Sequence, residues 1–213
     1  MDKKISKSVL KRLPTYLAHL KSLSGTDKPY ISATALANAL GMGEVQVRKD
    51  LAMVSDGGRP KIGYPRETLI EDIEQFLGYD NTTDAILIGV GKLGQALMCY
   101  RGFDEYGLNI LAGFDRHPET KPVDCGKPVY HLDQLESFCC SNKVLMGIIT
   151  VPQEAAQSVC DMMIKCGIKA IWSFAPGHLD VPDGVMVHNE NMATSLAVLS
   201  VHLQAQMREK KEK

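Results

Sequence analysis

The stretch Gly89-Val90-Gly91-Lys92-Leu93-Gly94 constrains this chain more than any other. It follows a short apolar run, Ala85-Ile86-Leu87-Ile88, and opens a segment in which Leu93, Leu97, Met98 and Tyr100 recur at helical spacing. Strand, glycine turn and helix in that order begin a dinucleotide-binding unit. The first glycine permits the tight turn, the second lets the backbone approach a pyrophosphate, and the third lets helix close on strand. The helix N-terminus adds unpaired N–H groups and positive dipole charge. A second run, 109–115, ends in Asp115, twenty-one residues after Gly94, the distance from which a carboxylate reaches a ribose hydroxyl. Glycine turns between strand and helix often serve close packing alone, but strand, helix and acid together point to a dinucleotide.

From residue 84 onward strands alternate with helix-length segments. The expected strands are 85–88, 109–115, an edge strand near Cys125 to Val129, 144–150, 168–174 and 185–187. Helices are expected from the glycine turn to about residue 101, over His131 to Phe138, and over Gln153 to Cys166. A last helix follows Asn191, with Met192, Leu196, Leu199 and Leu203 on its apolar face. This rhythm calls for a Rossmann-like, doubly wound parallel sheet, an α/β fold.

The first third of the chain is different. Residues 1–66 carry twelve Lys or Arg against five Asp or Glu, and the remainder twelve against twenty, so a net charge of −1 hides a basic head on an acidic body. A basic head suits a polyanion, although a solvated basic face would look the same. A first helical pattern runs through Val9, Leu13, Leu17 and Leu20, with Pro14 predicting a kink or a fresh start. Ser32 caps a short Ala-rich helix ended by Gly41, and a second helix carries Val45, Val47, Leu51 and Val54 inward, with Gln46, Arg48, Lys49 and Asp50 off that face. Two short helices joined by a glycine-containing turn read as a helix-turn-helix, in which Gln46, Arg48 and Lys49 can meet base edges or phosphates. The segment 55–64 reads as a wing, a hairpin with Arg59 and Lys61 at its tip, and residues 68–77 as a closing helix. The expected domains are therefore a winged-helix DNA-binding domain, 1–79, a Rossmann domain, 80–190, and a terminal helix with a charged tail, 191–213.

No apolar run approaches a membrane span, and the N-terminus has no signal-peptide core, which places the chain in the cytoplasm. Its six cysteines form no CxxC pair and no Cys/His metal spacing, so no metal is expected, and they read as buried or idle thiols.

The whole chain resembles the Rex family of redox-sensing transcriptional repressors. The matching residues are Lys11-Arg12-Leu13-Pro14, Gln46-Val47-Arg48-Lys49-Asp50-Leu51, Gly63-Tyr64, the Gly89 to Gly94 turn and Tyr100-Arg101-Gly102-Phe103. Farther on come Phe114-Asp115, Thr150-Val151-Pro152, Gly167-Ile168-Lys169, Phe174-Ala175-Pro176 and Val181-Pro182. The resemblance implies a homodimer with exchanged C-terminal helices that binds inverted-repeat operators, represses fermentative and respiratory genes, and is released when NADH rises relative to NAD+. It adds Thr150, Val151 and Pro152 to the cofactor-binding residues. It also implies a polar switch of Arg12, Tyr100 and an acid at the start of the last helix. Here that place reads Glu190-Asn191-Met192. Asn191 can hydrogen-bond but cannot pair as a charge, which leaves Glu190 as the available carboxylate. The wing reads Arg59-Pro60-Lys61, where the family tends to have a basic residue, Arg and Gly. Arg116-His117 follow Asp115, and an Arg there can accept a 2′-phosphate. NAD(H) is expected from Asp115, with NADP(H) the alternative.

Two rival readings use the same residues. In one, the DNA-binding head answers to NADPH or a CoA derivative. In the other, the chain is a small NAD-dependent dehydrogenase. About 100 residues of Rossmann domain leave no substrate domain, and the six histidines are scattered in no catalytic context, so no catalytic residue is assigned.

Overall fold

The computed structural model describes residues 6–24, 28–79, 83–120, 123–190 and 192–209. The chain divides into two compact units, Met1–Asn81 and Thr82–Lys213.

In the first unit, α1 (Lys7–Ser22) is capped by Ser6, whose hydroxyl accepts the Val9 N–H. The helix runs through Pro14 without a fresh start. Its residues Val9, Leu13, Tyr16, Leu17 and Leu20 are buried at three- and four-residue steps. The two-residue strand β1 (Tyr30–Ile31) leads to α2 (Ala33–Leu40), capped by the Ser32 hydroxyl and ended by Gly41 in the left-handed region at φ 64°. α3 (Glu44–Val54) follows, then β2 (Tyr64–Pro65) and α4 (Arg66–Leu77). One core joins α1, α2, α3 and α4 through Leu13, Leu36, Leu51 and Leu69.

Two expectations for α3 are corrected. Val45 is 65% exposed and Asp50 is buried. Val45 lies about 200° around the helix from Val47 and so faces away from the core. Asp50 lies beside Leu51 on the inward face, where it has partners from α1. The segment before β2 is not a hairpin of extended strands. Arg59 and Gly63 exchange both backbone hydrogen bonds at 2.9 Å and close a five-residue turn, with Lys61 in the left-handed region at φ 66°. Tyr64 pairs instead with Ile31 of β1. Gly63, at φ 98°, passes so close beneath β1 that a Cβ there would lie 2.3 Å from the Ile31 carbonyl oxygen.

The second unit holds six parallel strands, β3 (Thr83–Ile88), β4 (Leu108–Asp115), β5 (Val129–His131), β6 (Met146–Ile149), β7 (Ala170–Ser173) and β8 (Met186–Asn189), in the order β5-β4-β3-β6-β7-β8. β3 is central, and its Ala85 to Ile88 are buried on both faces, which explains a run of apolar residues with no alternation. Met98 of α5 (Lys92–Met98) packs with Leu87 and Ile110 on one face. α6 (Leu135–Asn142) and α7 (Gln153–Lys165) pack through Cys139 and Met163 on the other. α5 ends at Met98 and not near residue 101. A separate 3-10 turn, Arg101–Tyr106, follows, in which Gly102 lies against the Tyr100 ring. The edge strand begins at Val129, where the sequence reading ended it. The last element, α8 (Met192–Glu209), leaves Leu196, Leu199 and Leu203 more than half exposed. Asn191 lies outside the described residues. No described helix is long and apolar enough to cross a membrane.

Candidate dinucleotide site and nucleic-acid interface

The strand order reverses between β3 and β6, because the chain leaves β3 toward β4 and β5 and then returns past it to β6. In an open parallel sheet that reversal leaves a crevice beyond the carboxyl ends of the strands, where ligands bind. A cavity of about 430 Å3 lies there. Its walls include Gly89, Gly91, Asp115, Arg116, Thr150, Val151 and Pro152, seven of the eleven residues expected to hold a cofactor. Val90 is buried in the core instead, while Lys92, Leu93 and Gly94 belong to α5 outside the cavity wall.

The three glycines differ in what a side chain would meet. At Gly89, φ 99°, a Cβ would lie 2.8 Å from the Thr150 carbonyl oxygen, and at Gly94 it would lie 2.2 Å from that of Gly89. At Gly91 nothing lies within 4 Å. The first and third glycines therefore serve packing, and the second faces open space through which a phosphate can approach the backbone. Thr150 ties the end of β6 to this turn, its one hydroxyl hydrogen shared between the carbonyl oxygens of Gly89 (2.7 Å) and Ile88 (3.2 Å). Asp115 is held on the opposite side, accepting the N–H of Val90 at 2.8 Å and that of His117 at 3.1 Å. Each carboxylate oxygen keeps a lone pair for a hydroxyl. Arg116 is exposed beside it. The apolar walls from Phe114, Leu132 and Val159 were not foreseen, since Leu132 reaches the cavity only through the turn after β5.

A second cavity, about 390 Å3, lies past the ends of β7 and β8, lined by Phe174, Pro176, Asn189 and Glu190. Among the described residues, the buried Asn189 Oδ1 and Ser173 Oγ near it have no hydrogen-bond partner. A chain of aromatic contacts leads to it, Tyr100 to Phe103 (4.9 Å), Phe103 to Trp172 (5.7 Å) and Trp172 to Phe174 (4.8 Å between centroids). Glu190 accepts the Trp172 indole N–H at 3.2 Å and lies 3.1 Å from His188 Nε2. Tyr100 and Glu190, paired in the sequence reading as switch residues, thus belong to one connected cluster.

In the first unit, Gln46, Arg48 and Lys49 are exposed on α3. Arg48 pairs with Glu44 one turn earlier, and it meets Arg59 and Lys61 around a cleft of about 500 Å3 that also includes Ser32 and Thr34 at the start of α2. Three basic side chains around one cleft suit a phosphate backbone. Arg12 is directed inward. Its Nε and one terminal nitrogen donate to Asp50 at 2.7 and 2.9 Å, and the Tyr16 hydroxyl donates to the same carboxylate at 2.8 Å. The hydrogen bond to Asp50 raises the Arg12 pKa further. Burial, and then the bond to Asp50, push Tyr16 up to about 12.

All six cysteines are free, and burial pushes the Cys139 thiol up to about 11. Among the described residues no cluster of His, Cys, Asp and Glu could hold a metal ion.

Residues 80–177 match the model of the CoA binding domain family, and residues 4–52 match the family described as "Putative DNA-binding protein N-terminus". The redox-sensing transcriptional repressor Rex of Porphyromonas gingivalis is 41% identical over 200 residues, 93% of this chain and 92% of that protein. Its counterpart in Treponema denticola is 40% identical over 193 residues, 90% and 92% of the two chains. Among solved structures, RSP in complex with β-NAD+ and operator DNA has a TM-score of 0.87 at 34% identity, covering 99% of this chain and 97% of that one. RSP in complex with β-NADH has a TM-score of 0.86 at 34% identity, covering both chains in full.

Proposed function

The chain belongs to the Rex family of redox-sensing transcriptional repressors, and from that premise we propose that it is an operator-binding repressor released by NADH. The observation that carries this reading is the pairing of a basic helix-turn-helix unit with a parallel-sheet crevice whose middle glycine faces open space and whose second strand ends in Asp115. Gly89 to Gly94 would lie along the pyrophosphate, Asp115 would accept from the adenosine ribose, and Thr150, Val151 and Pro152 would border the chain leading to the nicotinamide. The nicotinamide supplies the signal, since its ring is cationic in NAD+ and neutral in NADH. A low-dielectric pocket disfavours the cation, so the two forms can hold two arrangements of the protein unequally. Moving a population from 1:99 to 99:1 requires about 5.5 kcal/mol of such difference.

α8 supports a homodimer. Leu196, Val198, Leu199, Val201, Leu203 and Met207 are each at least half exposed, an apolar surface too large to leave in water. We assign it to the partner subunit, with the helices exchanged. Two helix-turn-helix units on a symmetric dimer would read an inverted repeat whose spacing the dimer sets. Arg12, Tyr100, Glu190 and Asn191 would couple cofactor to DNA, with Glu190 supplying the charge that Asn191 lacks. Gln46, Arg48 and Lys49 would meet the major groove, and Arg59 and Lys61 the flanking phosphates. A repressor needs no catalytic residue, and none is assigned. It works where the chromosome is, so we place it in the cytoplasm.

A second reading has one observation in its favour. Arg116 lines the cavity next to Asp115 and could accept a 2′-phosphate, which would make NADPH the effector. A thermal-shift panel of NADH, NAD+, NADPH and CoA separates the readings through mass action. Our proposal expects the largest stabilisation from NADH, and a larger one from NADPH or CoA would overturn it.

A further inference from the structure

We infer that Arg12 is a positioning residue for base recognition, fixing the Gln46 amide so that it presents its N–H donors to DNA. The inference rests on the operator-binding reading above. The Gln46 amide has one orientation compatible with its neighbour. With its oxygen turned toward the guanidinium it accepts from one terminal nitrogen of Arg12 at 2.9 Å and faces Nε at 3.3 Å, whereas the opposite orientation would set donors against donors. Arg12 is anchored in this place by Asp50, a carboxylate only 5% exposed and also held by Tyr16; that carboxylate takes the single Nε hydrogen and one from the other terminal nitrogen. A guanidinium on α1 thus holds the buried base of α3 with one edge and an exposed side chain of α3 with another.

The consequence is chemical. A glutamine reads adenine by accepting from N6 and donating to N7 at once, which requires both its oxygen and its nitrogen. Here the oxygen is turned to Arg12, which fills one of its lone pairs from a terminal nitrogen while the single Nε hydrogen is spent on Asp50, and the amide presents its two N–H donors to DNA. Donors alone suit a guanine edge, with N7 and O6 side by side, whereas adenine N7 and thymine O4 each offer a single acceptor and cytosine meets the amide donor to donor. Gln46 therefore selects guanine at one base pair of each half-site, and Arg12 sets that choice without touching the DNA.

The test uses the full chain and a DNA library built on a randomised inverted repeat, sequenced after selection by wild type, Gln46→Ala, Gln46→Glu and Arg12→Lys. The expected wild-type result is one position per half-site with guanine favoured about five- to a hundredfold, a preference that Gln46→Ala flattens. Arg12→Lys keeps a cation against Asp50 but cannot fork onto two acceptors, so it frees the amide oxygen and shifts that position alone toward adenine. Gln46→Glu keeps the bond to Arg12 without any N–H, so it loses the guanine preference even should Arg12→Lys fail to fold. A base other than guanine at the Gln46-dependent position of wild type, no position sensitive to Gln46→Ala, a preference retained by Gln46→Glu, or an unshifted preference in folded Arg12→Lys would each overturn the inference. A wild-type protein that selects no sequence at all would instead remove the operator-binding reading on which it rests.

Discussion

Asp50 and Arg12, thirty-eight residues apart, form a two-pronged ion pair at 2.7 and 2.9 Å in which the carboxylate is almost completely withdrawn from water. The pair ties α1 to α3, so its loss should reach the whole first unit. Removing one partner of a buried pair leaves the other uncompensated. Asp50→Ala should destabilise the protein by about 3 kcal/mol, the low end of the usual range because Arg12 is partly exposed. Chemical denaturation measures it, and a cost under about 1 kcal/mol would show that the pair does not hold the helices together.

Tyr16 should make the same cluster sensitive to alkali. An unfolded tyrosine ionises near pH 10, and the folded one near 12. The folded pKa is the higher, so the stability that Tyr16 contributes is fully present below pH 10 and is lost as pH rises through 12. The stability difference between wild type and Tyr16→Phe should therefore narrow by about 2–3 kcal/mol over that window. A constant difference from pH 8 to 12 would contradict this assignment.

The two glycines at either end of Gly91-Lys92-Leu93-Gly94 should respond differently to alanine. Gly94→Ala sets a Cβ against the Gly89 carbonyl and should lower the melting temperature. Gly91→Ala meets nothing and should leave the melting temperature of the free protein unchanged, yet reduce dinucleotide affinity at least tenfold by filling the approach to the backbone. Equal effects on folding from both substitutions would refute this division of labour.

Asp115 should set the choice between cofactors. Asp115→Ala removes the acceptor for the ribose and leaves Arg116 in the wall, so calorimetry should find the gap between NADH and NADPH narrowed by about tenfold or more. Wild-type protein that already binds NADPH the more tightly would discard the idea.

Much of this was legible in the residues, for reasons that can be named. The glycine turn could be read because its backbone demands particular residues, and the sheet because strands buried on both faces leave uninterrupted apolar runs. The strand pair of β1 and β2 was not legible, as two residues are too few to show a period. Asp50 looked like a surface charge beside Lys49. Only folding brings Arg12 and Tyr16 to it, and no local pattern announces a contact across thirty-eight positions. Val45 misled in the opposite direction, an apolar residue on a face that the helical phase turns outward. Within the candidate site, Gly89, Asp115 and Thr150 could be named beforehand, whereas Leu132 enters from an irregular turn with no motif of its own.

Operator affinity of the full-length protein, measured at one fixed salt concentration while NADH replaces NAD+ at constant total cofactor, tests the central claim most directly. The account predicts that affinity falls at least tenfold as NADH becomes the majority species, that the same amount of NAD+ leaves binding intact, and that Gly91→Ala abolishes the response without abolishing binding in the absence of cofactor. Affinity that does not change between NAD+ and NADH, in protein shown to bind both, would contradict it.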